Sequence, residues 1–298
     1  MAVAFPIIQP FLDYLKFEKR FSQHTILAYE NDLTAFWDFI IIQYGDLKTA
    51  EISHLYIRTW LASLKDAGMT AKSINRKIST LKSYFKFNMK IGEVEQSPMV
   101  KVIAPKSEKR LPQFVADKDI KTLFNYVEFP DTWQGKTEHL LLSIFYHTGM
   151  RLSELINLKE SNVSFYNHTL RVLGKGNKER VLPVSKELLA LIESYSQDKK
   201  TLESVTAETL LVTEKGKPLA PRQVYNMVKK YLSLVTTIDK RSPHVLRHTF
   251  ATHLVNNGAD LNAVKEMLGH SSLAATQVYT HNTIEKLKNI HQKAHPKA

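Results

Sequence analysis

Residues 169–184 read TLRVLGKGNKERVLPV. Two short runs rich in Leu and Val flank a polar turn containing Gly174 and Gly176, the pattern of two short strands around a glycine-bearing turn. A second stretch, TLLVTEKGKPLA at 209–220, carries a similar signal and predicts another short strand and turn. Outward from these segments the apolar spacing changes to helical. Helical patterns precede Gly149, resume after Val184 and follow closely on one another from Pro243 to Tyr279, and IEKLKNIHQKA at 284–294 reads as a basic helical tail. The second half is therefore mainly α with a small β-sheet.

The first hundred residues read as helices alone. Ile26, Tyr29, Leu33, Phe36 and Ile40 recur at three- and four-residue steps, and Gly45 follows as a stop. A second stripe of Ile57, Leu61 and Leu64, with Trp60 beside it, ends at Gly68. Thr70 has the place of an N-cap for a third helix, which turns Ile74, Ile78, Leu81 and Phe85 inward. Its other face carries Lys72, Arg76, Ser79 and Ser83, cations and short hydroxyls suited to a phosphate backbone, although a solvated face looks much the same. From Pro98 to Pro112 the helical pattern breaks, and APKSEKRLP at 104–112 is rich in proline and charge. The expected organisation is a helical N-terminal domain over 1–100, a linker over 101–112, and a mixed domain over 113–298.

Bulk properties narrow the class of function. A chain of 298 residues is long for one core, and a formal charge of +12 attracts polyanions, of which nucleic acid is the commonest. With no cysteine, disulfides, thiolate catalysis and cysteine zinc sites are excluded. The opening MAVAFPIIQPFLDYLKFEKR lacks a secretory pattern, and the apolar run at 39–42 is far too short to span a bilayer. The expectation is a cytoplasmic protein with no membrane partner.

Four segments carry the chemistry: HTGMRLSEL at 147–155, LGKGNKER at 173–180, SPHVLRHTFATHL at 242–254 and LGHSSLAATQVYTH at 268–281. Each alone is weak, because an isolated arginine, lysine or tyrosine is usually a surface or packing residue. Their order and separations resemble the tyrosine recombinase (phage integrase) signature, and within that family the Xer site-specific recombinases. The resemblance covers nearly the whole chain, and all six family positions are filled: Arg151, Lys175, His244, Arg247, His270 and Tyr279.

The resemblance implies a two-domain DNA clamp, with a SAM-like core-binding domain ahead of the catalytic domain. It implies a 3′-phosphotyrosyl intermediate on Tyr279, with Lys175 as general acid. The residue types suit that chemistry. Arg151 and Arg247 offer planar, permanent cations to the phosphate oxygens. Tyr279 offers a hydroxyl nucleophile. Lys175 sits between glycines that permit close approach. His244 and His270 can hydrogen-bond phosphate oxygens or move the tyrosine proton, and the sequence does not divide those roles. Glu154, one helical turn after Arg151, is a candidate to orient it.

Neither metal nor cofactor is expected. His244 and His248 have the spacing of a zinc-binding pair, but Val245 stands where the glutamate base belongs and Arg247 would set a cation beside the ion. GKGNKER lacks the Walker pattern. The partners implied by the resemblance are double-stranded DNA, a homo- or hetero-tetramer with a second recombinase on paired sites, and an FtsK-type DNA translocase. The biology implied is resolution of chromosome dimers at segregation, with the tail from Thr283 to Ala298 docking on its own or a neighbouring protomer. The alternatives are a mobile-element integrase, a type IB topoisomerase-like enzyme and a non-catalytic DNA-binding protein.

Overall fold

The apolar stripes of the N-terminal half converge on one core. In the computed structural model, residues 5–106, 113–174 and 179–269 are described, and the chain divides into two compact units, 1–110 and 111–298. The first unit contains α1 (Gln9–Asp13), α2 (Gln23–Tyr44), α3 (His54–Asp66) and α4 (Ala71–Lys90). Ser22 caps α2 by accepting from the Thr25 N–H, and Thr70 caps α4 by accepting from the Ser73 N–H. Leu33, Phe36 and Ile40 of α2 pack with Ile57 and Trp60 of α3 and with Ile74, Ile78, Leu81 and Phe85 of α4, all buried.

The core also takes residues outside those stripes, among them Phe11, Trp37 and Tyr84. It extends into the proline- and charge-rich run as well. Pro98–Lys101 forms a 3-10 turn, Met99 and Val102 are buried in this core, and Asn75 donates to the Pro105 carbonyl at 2.9 Å. Several polar groups are buried there, Asp32 the deepest. Asp32, only 1% exposed, accepts from Arg76 at 2.6 Å, Lys77 at 2.9 Å and Thr80 at 3.0 Å, and so ties α2 to α4.

The second unit is helical around a three-stranded sheet. Its elements are α5 (Asp117–Asn125), α6 (Trp133–Thr148), α7 (Leu152–Ile156), β1 (Val163–Ser164), β2 (Thr169–Leu173), β3 (Glu179–Pro183), α8 (Lys186–Lys199), α9 (Pro221–Val235), α10 (Pro243–Asn256) and α11 (Leu261–Leu268). The strands are antiparallel in the order β1-β2-β3, with Leu170 opposite Leu182 and Val172 opposite Arg180. Leu170, Val172 and Leu182 face the core, while Arg171, Leu173 and Val181 face outward.

The sheet corrects one expectation. TLLVTEKGKPLA forms no strand of it; only single bridges, Lys159 with Thr209 and Val212 with Pro218, stand there. Leu210, Leu211 and Val212 are fully buried, so the apolar run serves the core as irregular chain instead of a ladder. The third strand is Val163–Ser164, too short to leave a period in the sequence.

Helix α6 runs through the core and stops at Gly149, whose φ of +58° lies in the left-handed region. A Cβ at this position would also stand 2.3 Å from the Phe250 ring, so close packing as well as backbone angle calls for glycine. The turn delivers Arg151 directly to the start of α7. Among the described residues, no helix is long and apolar enough to cross a membrane.

Candidate active site

Glu154 is the centre around which the site is built. It occupies the third position of α7, and its side chain is 3% exposed. The Arg151 backbone N–H donates to its Oε2 at 2.6 Å and the Arg151 Nη1 donates to its Oε1 at 2.8 Å. The same carboxylate therefore both caps the helix and orients the arginine that begins it.

A second arginine arrives from the sheet. Arg180 of β3 grips the carboxylate with two parallel bonds, Nη1 to Oε1 at 2.9 Å and Nη2 to Oε2 at 2.8 Å. A third, Arg247 of α10, places Nη1 at 4.0 Å from Oε2 and donates through Nη1 to the Gly149 carbonyl at 2.7 Å. Burial alone would push the Glu154 carboxyl up. The bonds from Arg180 and Arg151 outweigh it and hold the carboxyl down at about 2, so Glu154 is an anion at any physiological pH.

All three arginines also reach the C-terminal end of α11. Such an end leaves carbonyls without intrahelical partners and carries the negative end of the helix dipole. The Met267 carbonyl accepts from Arg180 Nε at 2.7 Å, that of Leu268 from Arg247 Nη2 at 2.6 Å, and that of Gly269 from Arg151 Nη2 at 3.1 Å. In the sequence the next residue is His270. Three guanidinium groups thus surround a single carboxylate, leaving a cationic surplus fit for a phosphate oxyanion.

His244 lies one turn before Arg247 on α10 and is exposed, whereas Arg247 is buried with its side chain 7% exposed. Arg151 is partly open at 31%. His248, the other half of the zinc-like spacing, is half-buried with its ring 6.4 Å from that of Phe114. Lys175, His270 and Tyr279 lie outside the described residues, as does the tail from Thr283.

On α4, Lys72 is exposed and Arg76 is engaged by Asp32. The Ser79 and Ser83 hydroxyls donate to the carbonyls of Asn75 and Ser79, one turn back on their own helix. Exposed Lys86 and Lys90 continue the same row. The residue that sequence reasoning passed over is Arg180. It stands inside the LGKGNKER segment, five positions after Lys175, but an arginine at the start of a short strand carries no sign of its partner.

The sequence pattern of the phage integrase family matches residues 113–286, and that of the phage integrase N-terminal SAM-like domain matches residues 8–92. The chain is 37% identical over 292 residues to tyrosine recombinase XerC of Staphylococcus aureus strain MSSA476, covering 98% of this chain and 97% of the relative. This chain belongs to the phage integrase family.

It is a site-specific tyrosine recombinase of Xer type, and so a DNA strand transferase. Solved recombinases share its fold. The XerH site-specific recombinase, in its post-cleavage complex with palindromic difH substrate, aligns with a TM-score of 0.76 at 22% identity, over 95% of this chain and 82% of that one. The Tn1549 transposon integrase, in complex with transposon right-end DNA, aligns with a TM-score of 0.75 at 19% identity, over 97% and 99%.

Proposed function

We propose that this recombinase cuts one strand of a DNA duplex by attack of the Tyr279 hydroxyl oxygen on a phosphodiester. The new P–O bond to tyrosine forms as the P–O5′ bond breaks, giving a 3′-phosphotyrosyl link and a free 5′-hydroxyl. Lys175 supplies the proton to the leaving 5′-oxygen, and His244 and His270 share the hydrogen bonds to phosphate and the proton from tyrosine. Attack by a 5′-hydroxyl from another strand reverses the step, so one phosphodiester is exchanged for another without ATP.

Arg151 and Arg247 hold the non-bridging oxygens as charge builds on them. The observation that carries this reading is their convergence on Glu154 and on the carbonyls of Leu268 and Gly269, at distances of 2.6–4.0 Å. A clamp preset in this way stabilises the transition state without reorganising during the reaction.

The partner is double-stranded DNA, in keeping with the charge of +12. Lys72, Arg76, Ser79 and Ser83 lie toward its backbone. The likeness to XerC supports a role in resolving chromosome dimers, with four protomers on two paired sites, a second recombinase or a second copy of this chain as partner, and an FtsK-type translocase as activator.

Covalent capture tests the reading. Wild type and Tyr279→Phe are incubated with genomic DNA, stripped with detergent, and the attached DNA is sequenced. Wild type alone is expected to retain DNA, at one chromosomal site. Equal retention by both would show that Tyr279 is not the nucleophile.

A further inference from the structure

All three guanidinium nitrogens of Arg180 are engaged by protein. Nε binds the Met267 carbonyl at 2.7 Å, while Nη1 and Nη2 bind the two oxygens of Glu154 at 2.9 and 2.8 Å. A guanidinium so occupied is poorly placed to take a phosphate oxygen, because it would first have to give up a paired carboxylate.

Its partners are the two features that orient the catalytic arginines. Glu154 receives Arg151 at 2.8 Å, and the end of α11 receives both Arg151 and Arg247. The contact with that helix end is close. A Cβ placed on Gly269 would stand 3.3 Å from Arg180 Nη1 and 3.4 Å from its Cδ, at a φ of +64°. Arg180 is thus the one of the three that joins the sheet to both the carboxylate and the last turn of α11.

We infer that Arg180 is a positioning residue for strand cleavage: it locks Glu154 and the C-terminal end of α11 in the one arrangement that sets Arg151 and Arg247 to receive the scissile phosphate. The planar fork is what the geometry requires. Lysine keeps the charge but, as a single point, does not span two carboxylate oxygens and a carbonyl in fixed directions. Without the fork Glu154 keeps the bonds from Arg151 and the longer contact with Arg247, and the carbonyls of residues 267–269 lose one of the three cations that align them. Misplacement of catalytic groups by about 1 Å costs on the order of 10²-fold in rate.

The inference rests on the reading of Tyr279 as the nucleophile, and one experiment separates the two. The substrate is a nicked duplex carrying the genomic site recovered by covalent capture. The full-length proteins are wild type, Tyr279→Phe, Arg180→Lys, Arg180→Met, Glu154→Gln and the Arg180→Met/Glu154→Gln double variant. Site binding, the single-turnover rate of covalent joining at saturating protein, and thermal unfolding are measured for each.

Arg180→Lys is expected to bind the duplex as wild type does while joining on the order of 10²-fold more slowly. The double variant is expected to be no slower than the slower of its two parents, because both changes remove the same arrangement. Wild-type joining by Arg180→Lys, additive losses in the double variant, or losses that only follow a fall in binding or in folded protein would each overturn the inference. Failure of wild type to join, or joining by Tyr279→Phe, would instead overturn the reading of the nucleophile.

Discussion

Each unit of the molecule holds a buried carboxylate shared by several donors, Asp32 in one and Glu154 in the other, and the two clusters do different things. In the N-terminal unit Asp32 meets Arg76, Lys77 and the Thr80 hydroxyl, all three from α4. Lys77 is buried and lies over the Trp60 ring at 5.5 Å, and Arg76 is 53% exposed. In the catalytic unit Glu154 meets arginines from α7, β3 and α10, which also share the carbonyls at the end of α11. Asp32 pins one helix to another with little cationic surplus left in the interior. Glu154 gathers cations from three separate elements and leaves more positive charge than it neutralises. A buried carboxylate with charged partners is therefore not in itself a site; surplus donors, held by different elements and partly open, make one.

Removing each carboxylate or its partners breaks that comparison in a different way. The largest effect is expected from Asp32→Ala, which leaves the Lys77 ammonium buried and uncompensated and costs roughly 3–5 kcal/mol of stability. Denaturant unfolding measures the loss, and Lys77→Met in the same chain is expected to recover much of it. Strand cleavage per folded molecule should stay at the wild-type rate; a drop would mean that the two clusters are not distinct in function.

Next in size is Arg247→Ala, expected to slow covalent joining by roughly 10²–10³-fold, as loss of one preorganised donor does. Filter binding of the same duplex would check that recognition persists. If joining proceeds unimpaired, Arg247 does not hold the transition-state charge.

Acid sharpens the contrast from another side. Because the Glu154 carboxyl is held down at about 2 against an ordinary 4.5, its bonds to Arg180 and Arg151 contribute stability that is complete above about pH 4.5 and fades as pH falls toward 2. Thermal unfolding of wild type and Glu154→Gln should differ most at pH 5 and converge as pH drops. A constant gap would show that the carboxylate charge is not what those bonds depend on. The smallest effect is expected for Arg76→Ala. Its partner Asp32 keeps Lys77 and Thr80, and an ion pair with one half-exposed member is worth about 1 kcal/mol or less. A cost as large as that of Asp32→Ala would place the exposed arginine, and not Lys77, at the centre of the N-terminal cluster.

The same comparison marks what could be read from sequence. Helices α2, α3 and α4 declare themselves through apolar steps of three and four residues, and their ends through the Thr70 cap and the stops at Gly45 and Gly68, since these signals are local to the chain. The β2–β3 hairpin is legible for the same reason. The run at 209–212 misled because a fully buried irregular segment and a buried strand both look like unbroken apolar sequence; only hydrogen-bonded neighbours distinguish them.

By itself the sequence determined which chemistry is available: arginines, histidines, a lysine and a tyrosine in an order shared with a known family, on a mainly helical chain. It also singled out Glu154 beside Arg151, because three residues on a helix are neighbours whatever the rest of the chain does. Only the tertiary structure decided that Arg180 and Arg247 share that carboxylate and the end of α11. Those partners stand 26 and 93 residues from Glu154 along the chain, and no local propensity encodes a contact made by packing β3, α7, α10 and α11 against one another.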